Sequence, residues 1–206
     1  MDEQMSEKLK EKFQEIIWVA RQLFDWGKTS GSSANLSFRH KDKVYVSGTN
    51  TCFGDLTIES FSVLSLQGEH IKGIKPSKEY PLHLALYNSR QDNQAVIHTH
   101  SRYSTLWSCL EFDNKEDVIP SYTPYLDMKL GPIKLVDYYA PGSEELFDAF
   151  EQRVDEQRGY LLQNHGPIVA DETILKAFYS LEELEESAAI AWEFENSHLT
   201  ANKLRG

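Results

Sequence analysis

Gln94-Ala95-Val96-Ile97-His98-Thr99-His100 is the stretch on which the fold turns. Ala95 to His98 is short and apolar, and it reads as a buried strand. On a strand, residues i and i+2 project from the same face. His98 and His100 therefore leave the end of a core strand together and can converge on one ion. Imidazoles suit zinc and neighbouring transition metals. A His-x-His pair alone is a weak signal, because surface histidine pairs are common. The apolar residues before this one give it weight.

The flanks alternate between helical and extended patterns. Leu9, Phe13, Ile16, Ile17, Ala20, Leu23 and Phe24 recur at steps of three and four, which predicts an amphipathic helix over about residues 5–27. Gly27 ends it. Asn35 to Arg39 and Lys43 to Ser47 alternate around His40-Lys41-Asp42, a predicted hairpin. Phe61 to Leu66 and His70 to Ile74 form a second one around Gln67-Gly68-Glu69. Ser77 is the expected cap of a helix through Leu86 or beyond, with Pro81 tolerated in its first turn.

Beyond His100, residues 101–110 read as a short helix and Ile133 to Tyr138 as a strand. Ser143 caps a helix to Val154, with Glu144 and Glu145 favourable in the first turn. Tyr160 to Gln163 and Ile168-Val169 are strand pieces broken by Asn164-His165-Gly166-Pro167. Thr173 opens a last helix to about Glu195. Interleaved helices and strands, with hairpins among them, predict an α/β fold with a mixed, mainly antiparallel sheet covered by helices. No repeat or linker divides the chain, so residues 1–206 are expected to form a single domain.

Composition removes several functions. The 206 residues carry 21 Lys plus Arg against 32 Asp plus Glu, a net charge of −11. That is a poor basis for binding nucleic acid or an anionic membrane. No apolar run approaches the ~18 residues of a membrane span. Met1-Asp2-Glu3-Gln4 lacks the basic and apolar regions of a signal peptide, so a cytoplasmic protein is expected. Cys52 and Cys109 make neither a disulfide framework nor a zinc ribbon. There is no Gly-x-Ser-x-Gly elbow, and neither cysteine has an evident histidine partner.

His165, in a turn after an apolar strand, is the candidate third imidazole. His40, His70 and His198 sit in polar turns or tails and read as solvated. His83, four residues after Glu79, reads as a core residue or as one that supports a ligand. Glu79 is the best acid/base candidate. Near a helix start it can be a plain N-terminal charge. Beside a metal and partly desolvated, such a carboxylate suits proton transfer to carbon. Gly31-Ser32-Ser33-Ala34-Asn35, Ser47-Gly48-Thr49-Asn50 and Ser77-Lys78 are small-residue loops whose N–H groups can cradle an anion. None is a P-loop or a dinucleotide fingerprint. Glu182, Glu183, Glu185 and Glu186 read as a solvated helix face.

Taken in order, the Ser33-Ala34-Asn35 loop, the Thr49 turn, Pro76-Ser77-Lys78-Glu79, His98-Thr99-His100 and His165-Gly166 resemble the class II aldolase and adducin-head family. The resemblance runs from about Ile17 to Trp192. It implies a three-layer α/β/α fold and Zn2+, Mn2+ or Co2+ on His98, His100, His165 and Glu79. It implies Glu79 as the catalytic acid/base. Ser33, Asn35, Thr49, Asn50, Ser77 and Lys78 are the implied substrate and phosphate contacts. Family members commonly form homotetramers with sites at subunit interfaces, which makes Tyr125 a candidate hydroxyl donor to a neighbouring copy. Ala34 and Gly48-Thr49-Asn50 depart from the usual pattern and alter the expected phosphate pocket.

One branch of the family, the 3-oxo-tetronate 4-phosphate decarboxylases, is similar in further stretches. These are His83-Leu84-Ala85-Leu86-Tyr87, Thr123-Pro124-Tyr125, Tyr138-Tyr139-Ala140-Pro141-Gly142 and Asn164-His165-Gly166-Pro167. Sugar-phosphate aldolases more often carry Ser where this chain has Lys78. The resemblance thus implies a lyase that converts a phosphorylated sugar acid to dihydroxyacetone phosphate and carbon dioxide through a metal-stabilised enediolate. A fuculose 1-phosphate aldolase and a non-catalytic adducin-like module are the alternatives.

Overall fold

The computed structural model describes residues 6–205. The acidic opening residues and the expected helix start at residue 5 lie outside them. Helix α1 (Glu7–Asp25) buries Phe13, Ile16, Val19, Ala20 and Leu23 along one face. Gly27, at φ 65°, lets the Lys28 N–H turn back to the Leu23 carbonyl at 2.8 Å. That is a left-handed stop that glycine adopts without steric cost.

Both hairpins form as the alternation predicts. They are β1 (Asn35–His40) with β2 (Lys43–Ser47), and β3 (Phe61–Ser65) with β4 (His70–Gly73). Helix α2 (Tyr80–Ser89) follows, but Ser77 does not cap it; Glu79 holds the N-cap position. The reason is pairing upstream. The Ser77 N–H is bonded to the Ser47 carbonyl at 3.1 Å, and Pro76 bridges to Gly48. Residues 76–77 are tied to the sheet, so the helix starts later, and Pro81 falls in its first turn as expected.

The later strands and α-helices are β5 (Ala95–His98), α3 (Arg102–Ser108), α4 (Tyr125–Lys129), β6 (Lys134–Val136), α5 (Glu144–Arg153), β7 (Gly159–Leu162), β8 (Gly166–Asp171) and α6 (Ile174–Glu195). Ser143 and Thr173 cap α5 and α6 through their side chains. Helix α4 was not expected. The predicted break before Ile168 is shorter than its Gly-Pro step suggests, because Gly166 and Pro167 already belong to β8. Pro167 stands opposite Leu161, and its carbonyl accepts from the Thr99 N–H at 3.2 Å. Proline is tolerated at the start of a strand.

The eight strands form one sheet, ordered β4-β3-β2-β1-β5-β8-β7-β6, antiparallel throughout except for β6 with β7. Alternation sends Leu36, Phe38, Tyr45, Ile97 and Val169 to the side of α1 and α6. Val44, Val46, Val96, Ile168 and Ala170 pack with α2 and α5 on the other side. Helices on both faces of one sheet make the three-layer α/β/α arrangement that the resemblance implies. Phe13 meets Phe38, Tyr45 and Phe61 edge-on at 5.2–5.4 Å, pinning α1 to the sheet. Among the described residues, no helix is long and apolar enough to cross a membrane.

The Glu-rich stretch of α6 corrects one expectation. Glu185 is 2% exposed, not solvated. Its carboxylate accepts from the Tyr103 N–H at 2.8 Å, the Ser104 N–H at 2.9 Å and the Ser104 hydroxyl at 2.7 Å. It thereby satisfies N–H groups in the first turn of α3, which begins two residues after His100. Glu185→Ala strands those donors in the interior. The expected loss is about 3 kcal/mol, read as a lower midpoint in urea unfolding.

Candidate metal centre

The site forms at one end of the sheet, on the face covered by α2. His98 is the last residue of β5, opposite Asn35 on one side and Ile168 on the other. The strand stops there, so His100 reaches the site from the segment between β5 and α3. His165 closes the turn from β7 into β8, where Asn164 takes φ 57°. Gly166, at φ 150°, lies against the Thr99 carbonyl; a Cβ at this position would meet that oxygen at 2.5 Å. Glycine thus permits the close approach that brings the His165 turn beside the His98–His100 segment.

The three imidazoles converge. His98 Nε2 lies 3.2 Å from His100 Nε2 and 3.2 Å from His165 Nε2. All three ligand atoms fall within 4.8 Å of one another. His98 Nδ1 donates to the Pro167 carbonyl at 2.8 Å, which leaves its Nε2 as a bare lone pair facing the other two rings. Burial, then the nearby His100, holds the His98 pKa well below its ordinary value. Burial also lowers His100, against the pull of Glu79, and lowers His165, reinforced by His98. Neutral rings offer the lone pairs that a cation needs. Three convergent nitrogen donors fit a divalent metal with positions left for substrate.

Glu79 faces this cluster from the start of α2. Its carboxylate is 7% exposed, with Oε2 at 3.5 Å from His98 Nε2 and Oε1 at 3.4 Å from His165 Nε2. It lies outside the mutually close set of three histidine nitrogens. Asn35 Nδ2 donates to Oε2 at 3.0 Å. Oε1 is buried and has no hydrogen-bond partner among the described residues. His83 is fully buried and contacts Asn35 Oδ1 through Nε2 at 2.6 Å.

The small-residue loops gather at the same end of the sheet. Residues 31–34 lead into β1, and residues 48–50 leave β2 beside them. The Thr49 N–H bonds to the Lys75 carbonyl at 2.9 Å, which joins the second loop to the Ser77 segment. The N–H groups of Gly48, Thr49 and Ser77 are all engaged by backbone carbonyls. Asn50, at φ 61°, is exposed beside them. Ser77 is buried, and its hydroxyl accepts from the Glu79 N–H at 3.4 Å. Ser33 is exposed and donates to the Ser30 carbonyl at 2.9 Å. Lys78 is exposed, and Gly142 makes room for its stem: a Cβ at Gly142 would meet the Lys78 Cβ at 3.2 Å. Tyr125 is 56% exposed at the start of α4.

Two residues escaped the sequence reading, Ser37 and Tyr87. Their hydroxyls contact each other at 2.7 Å, and Ser37 Oγ lies 2.7 Å from His83 Nδ1. The signal was present as spacing. Glu79 at the N-cap and His83 and Tyr87 on α2 recur every four residues, and Asn35 and Ser37 alternate on β1.

Comparisons with known proteins agree with this geometry. The family described as Class II Aldolase and Adducin N-terminal domain matches residues 14–192. A 3-oxo-tetronate 4-phosphate decarboxylase of Pectobacterium atrosepticum is 37% identical over 177 residues, 85% of this chain and 81% of that protein. An L-fuculose phosphate aldolase of Methanocaldococcus jannaschii is 36% identical over 176 residues, 85% of this chain and 93% of that one. The crystal structure of YgbL from Escherichia coli, for which aldolase, epimerase and decarboxylase are given as alternatives, superposes with a TM-score of 0.90. It is 33% identical, over 96% of this chain and 95% of that chain.

Proposed function

This chain belongs to the class II aldolase and adducin N-terminal domain family, and from that premise we propose that it is a metal-dependent carboxy-lyase acting on a 3-oxo-tetronate 4-phosphate. One observation carries the metal-dependent lyase reading: a buried carboxylate with an unpartnered oxygen faces three convergent imidazoles. His98, His100 and His165 would hold a divalent cation such as Zn2+, Mn2+ or Co2+. Once bound, it supplies Lewis-acid stabilisation of negative charge on substrate oxygens.

The substrate's ketone at C3 is β to the C1 carboxylate. Breaking the C1–C2 bond releases carbon dioxide and leaves the electron pair in an enediolate over C2 and C3. Glu79 then delivers a proton to C2, which gives dihydroxyacetone phosphate, and recovers one from solvent. Lys78 and the loops at Ser33, Thr49, Asn50 and Ser77 are assigned to the two anionic ends of the substrate. The similarity to the 3-oxo-tetronate 4-phosphate decarboxylases, with Lys78 where sugar-phosphate aldolases more often carry Ser, favours a carboxylate-bearing substrate.

The aldolase reading rests on the same site, because cleavage to an aldehyde leaves the same enediolate. Incubation with a 3-oxo-tetronate 4-phosphate and with fuculose 1-phosphate separates the two. Carbon dioxide and dihydroxyacetone phosphate from the first compound are expected. Lactaldehyde from the second, with no carbon dioxide from the first, would establish the aldolase. An adducin-like module would turn over neither. Assembly into a homotetramer, with Tyr125 offered to a neighbouring copy's site, is part of the same proposal.

A further inference from the structure

A line of buried hydrogen bonds runs from the last turn of α2 to the Glu79 carboxylate. Tyr87 OH meets Ser37 Oγ at 2.7 Å, and Ser37 Oγ meets His83 Nδ1 at 2.7 Å. His83 Nε2 meets Asn35 Oδ1 at 2.6 Å, and Asn35 Nδ2 meets Glu79 Oε2 at 3.0 Å. Ser37 and His83 are fully buried, and Asn35 and Tyr87 are 3% exposed.

The direction of each bond follows from its last member. A carboxylate only accepts, so Asn35 presents its NH2 to Glu79 and its carbonyl oxygen to His83. His83 must therefore carry its hydrogen on Nε2. Burial pushes its pKa down to about 3, so Nδ1 is a bare acceptor for the Ser37 hydroxyl. Ser37 Oγ is left to accept from Tyr87, whose phenol burial keeps protonated. All four donors point toward Glu79. The line does not conduct protons, because a carboxamide has no ready means of passing one from its oxygen to its nitrogen. What it can do is fix orientation.

We propose that Tyr87, Ser37 and His83 are positioning residues that act through Asn35 to hold Glu79 by Oε2, leaving Oε1 as the oxygen that exchanges a proton with substrate carbon. This assignment rests on the lyase reading of the site. An Asn35 amide turned over would set its carbonyl oxygen against the acceptor-only carboxylate of Glu79, so that contact opposes the flip. Buried polar networks in which every member is satisfied specify one arrangement.

Two readouts on the intact chain test the assignment. The first is nitrogen NMR of the His83 ring in metal-free protein at neutral pH. The expected state is a neutral Nε2–H ring in the wild type, which Asn35→Ala, by removing the carbonyl that holds Nε2–H, converts to a mixture of tautomers. A wild-type Nδ1–H ring or an imidazolium overturns the proposal. The second is hydrogen–deuterium exchange at carbon in dihydroxyacetone phosphate, the reverse of the protonation step, alongside carbon dioxide release by the metal-loaded protein. Ser37→Ala is expected to slow both about 10-fold or more, with KM and metal content unchanged. His83→Gln keeps a donor toward Asn35 and should retain more activity than His83→Leu. Equal losses in those two variants mean packing alone and overturn the proposal. A wild type that neither exchanges nor releases carbon dioxide sinks the proposed function and this assignment with it. An active wild type matched by Ser37→Ala sinks this assignment alone.

Discussion

Glu79→Gln is expected to lower kcat for carbon dioxide release by about 10²–10⁴-fold, the usual worth of a positioned acid or base. In free energy that is about 3–5 kcal/mol of barrier. The variant tests chemistry with little structural change. Glutamine has nearly the same shape, and its carbonyl oxygen can still accept from Asn35 Nδ2, now 3.0 Å from Oε2. What disappears is a group able to take up and give back a proton beside His165. The three histidine nitrogens already form a mutually close set without Glu79. Metal content measured by elemental analysis is therefore expected to stay near the wild-type value. Wild-type kcat in a correctly folded Glu79→Gln protein would remove Glu79 from the mechanism.

His98→Ala is expected to lower affinity for a divalent metal by more than about 100-fold, the upper range of effects seen when only a supporting contact is lost. His98 is central because its Nε2 is the atom 3.2 Å from each of the other two rings. Its orientation is set from the opposite side by the Pro167 carbonyl at 2.8 Å. Alanine leaves two imidazoles and a cavity where the third stood. The sharpest readout is thermal unfolding with and without added zinc. Any ligand that binds only the native chain raises its midpoint by mass action. The wild type should show that rise and His98→Ala should not. An equal rise in both would place the metal elsewhere.

The sheet was legible because its strands are bounded by turn residues and keep a period of two. Val44, Val46 and Val96 face one helical layer, while Tyr45 and Ile97 face the other. Elements set by local chemistry were legible too, as with Ser143 and Thr173 at the starts of α5 and α6. The start of α2 was not, because a distant pairing of Ser77 with Ser47 overrides the local capping preference. Helix α4 has only five residues and no apolar period long enough to register. The three histidines and Glu79 are chemically distinctive, and the fold brings them together at one sheet end. The residues that hold them are ordinary types. Ser37 and Tyr87 matter through contacts 50 and 46 positions apart in sequence; the spacing along the α2 segment and along β1 puts each set on one face, but nothing local says that those two faces meet. Glu185 looked like one charge among several on a solvated helix until its partners on α3 were visible.

An acidic chain of net charge −11 has to create a locally cationic place for an anionic substrate. The proposed metal on His98, His100 and His165 is what does so here, and metal titration of turnover tests that claim most directly. The protein is stripped with a chelator, and a divalent ion is added back in steps. Carbon dioxide release from a 3-oxo-tetronate 4-phosphate is followed at each step. The account predicts no release from the stripped chain and a rise that saturates at one ion per chain. Full activity in the stripped chain would contradict it.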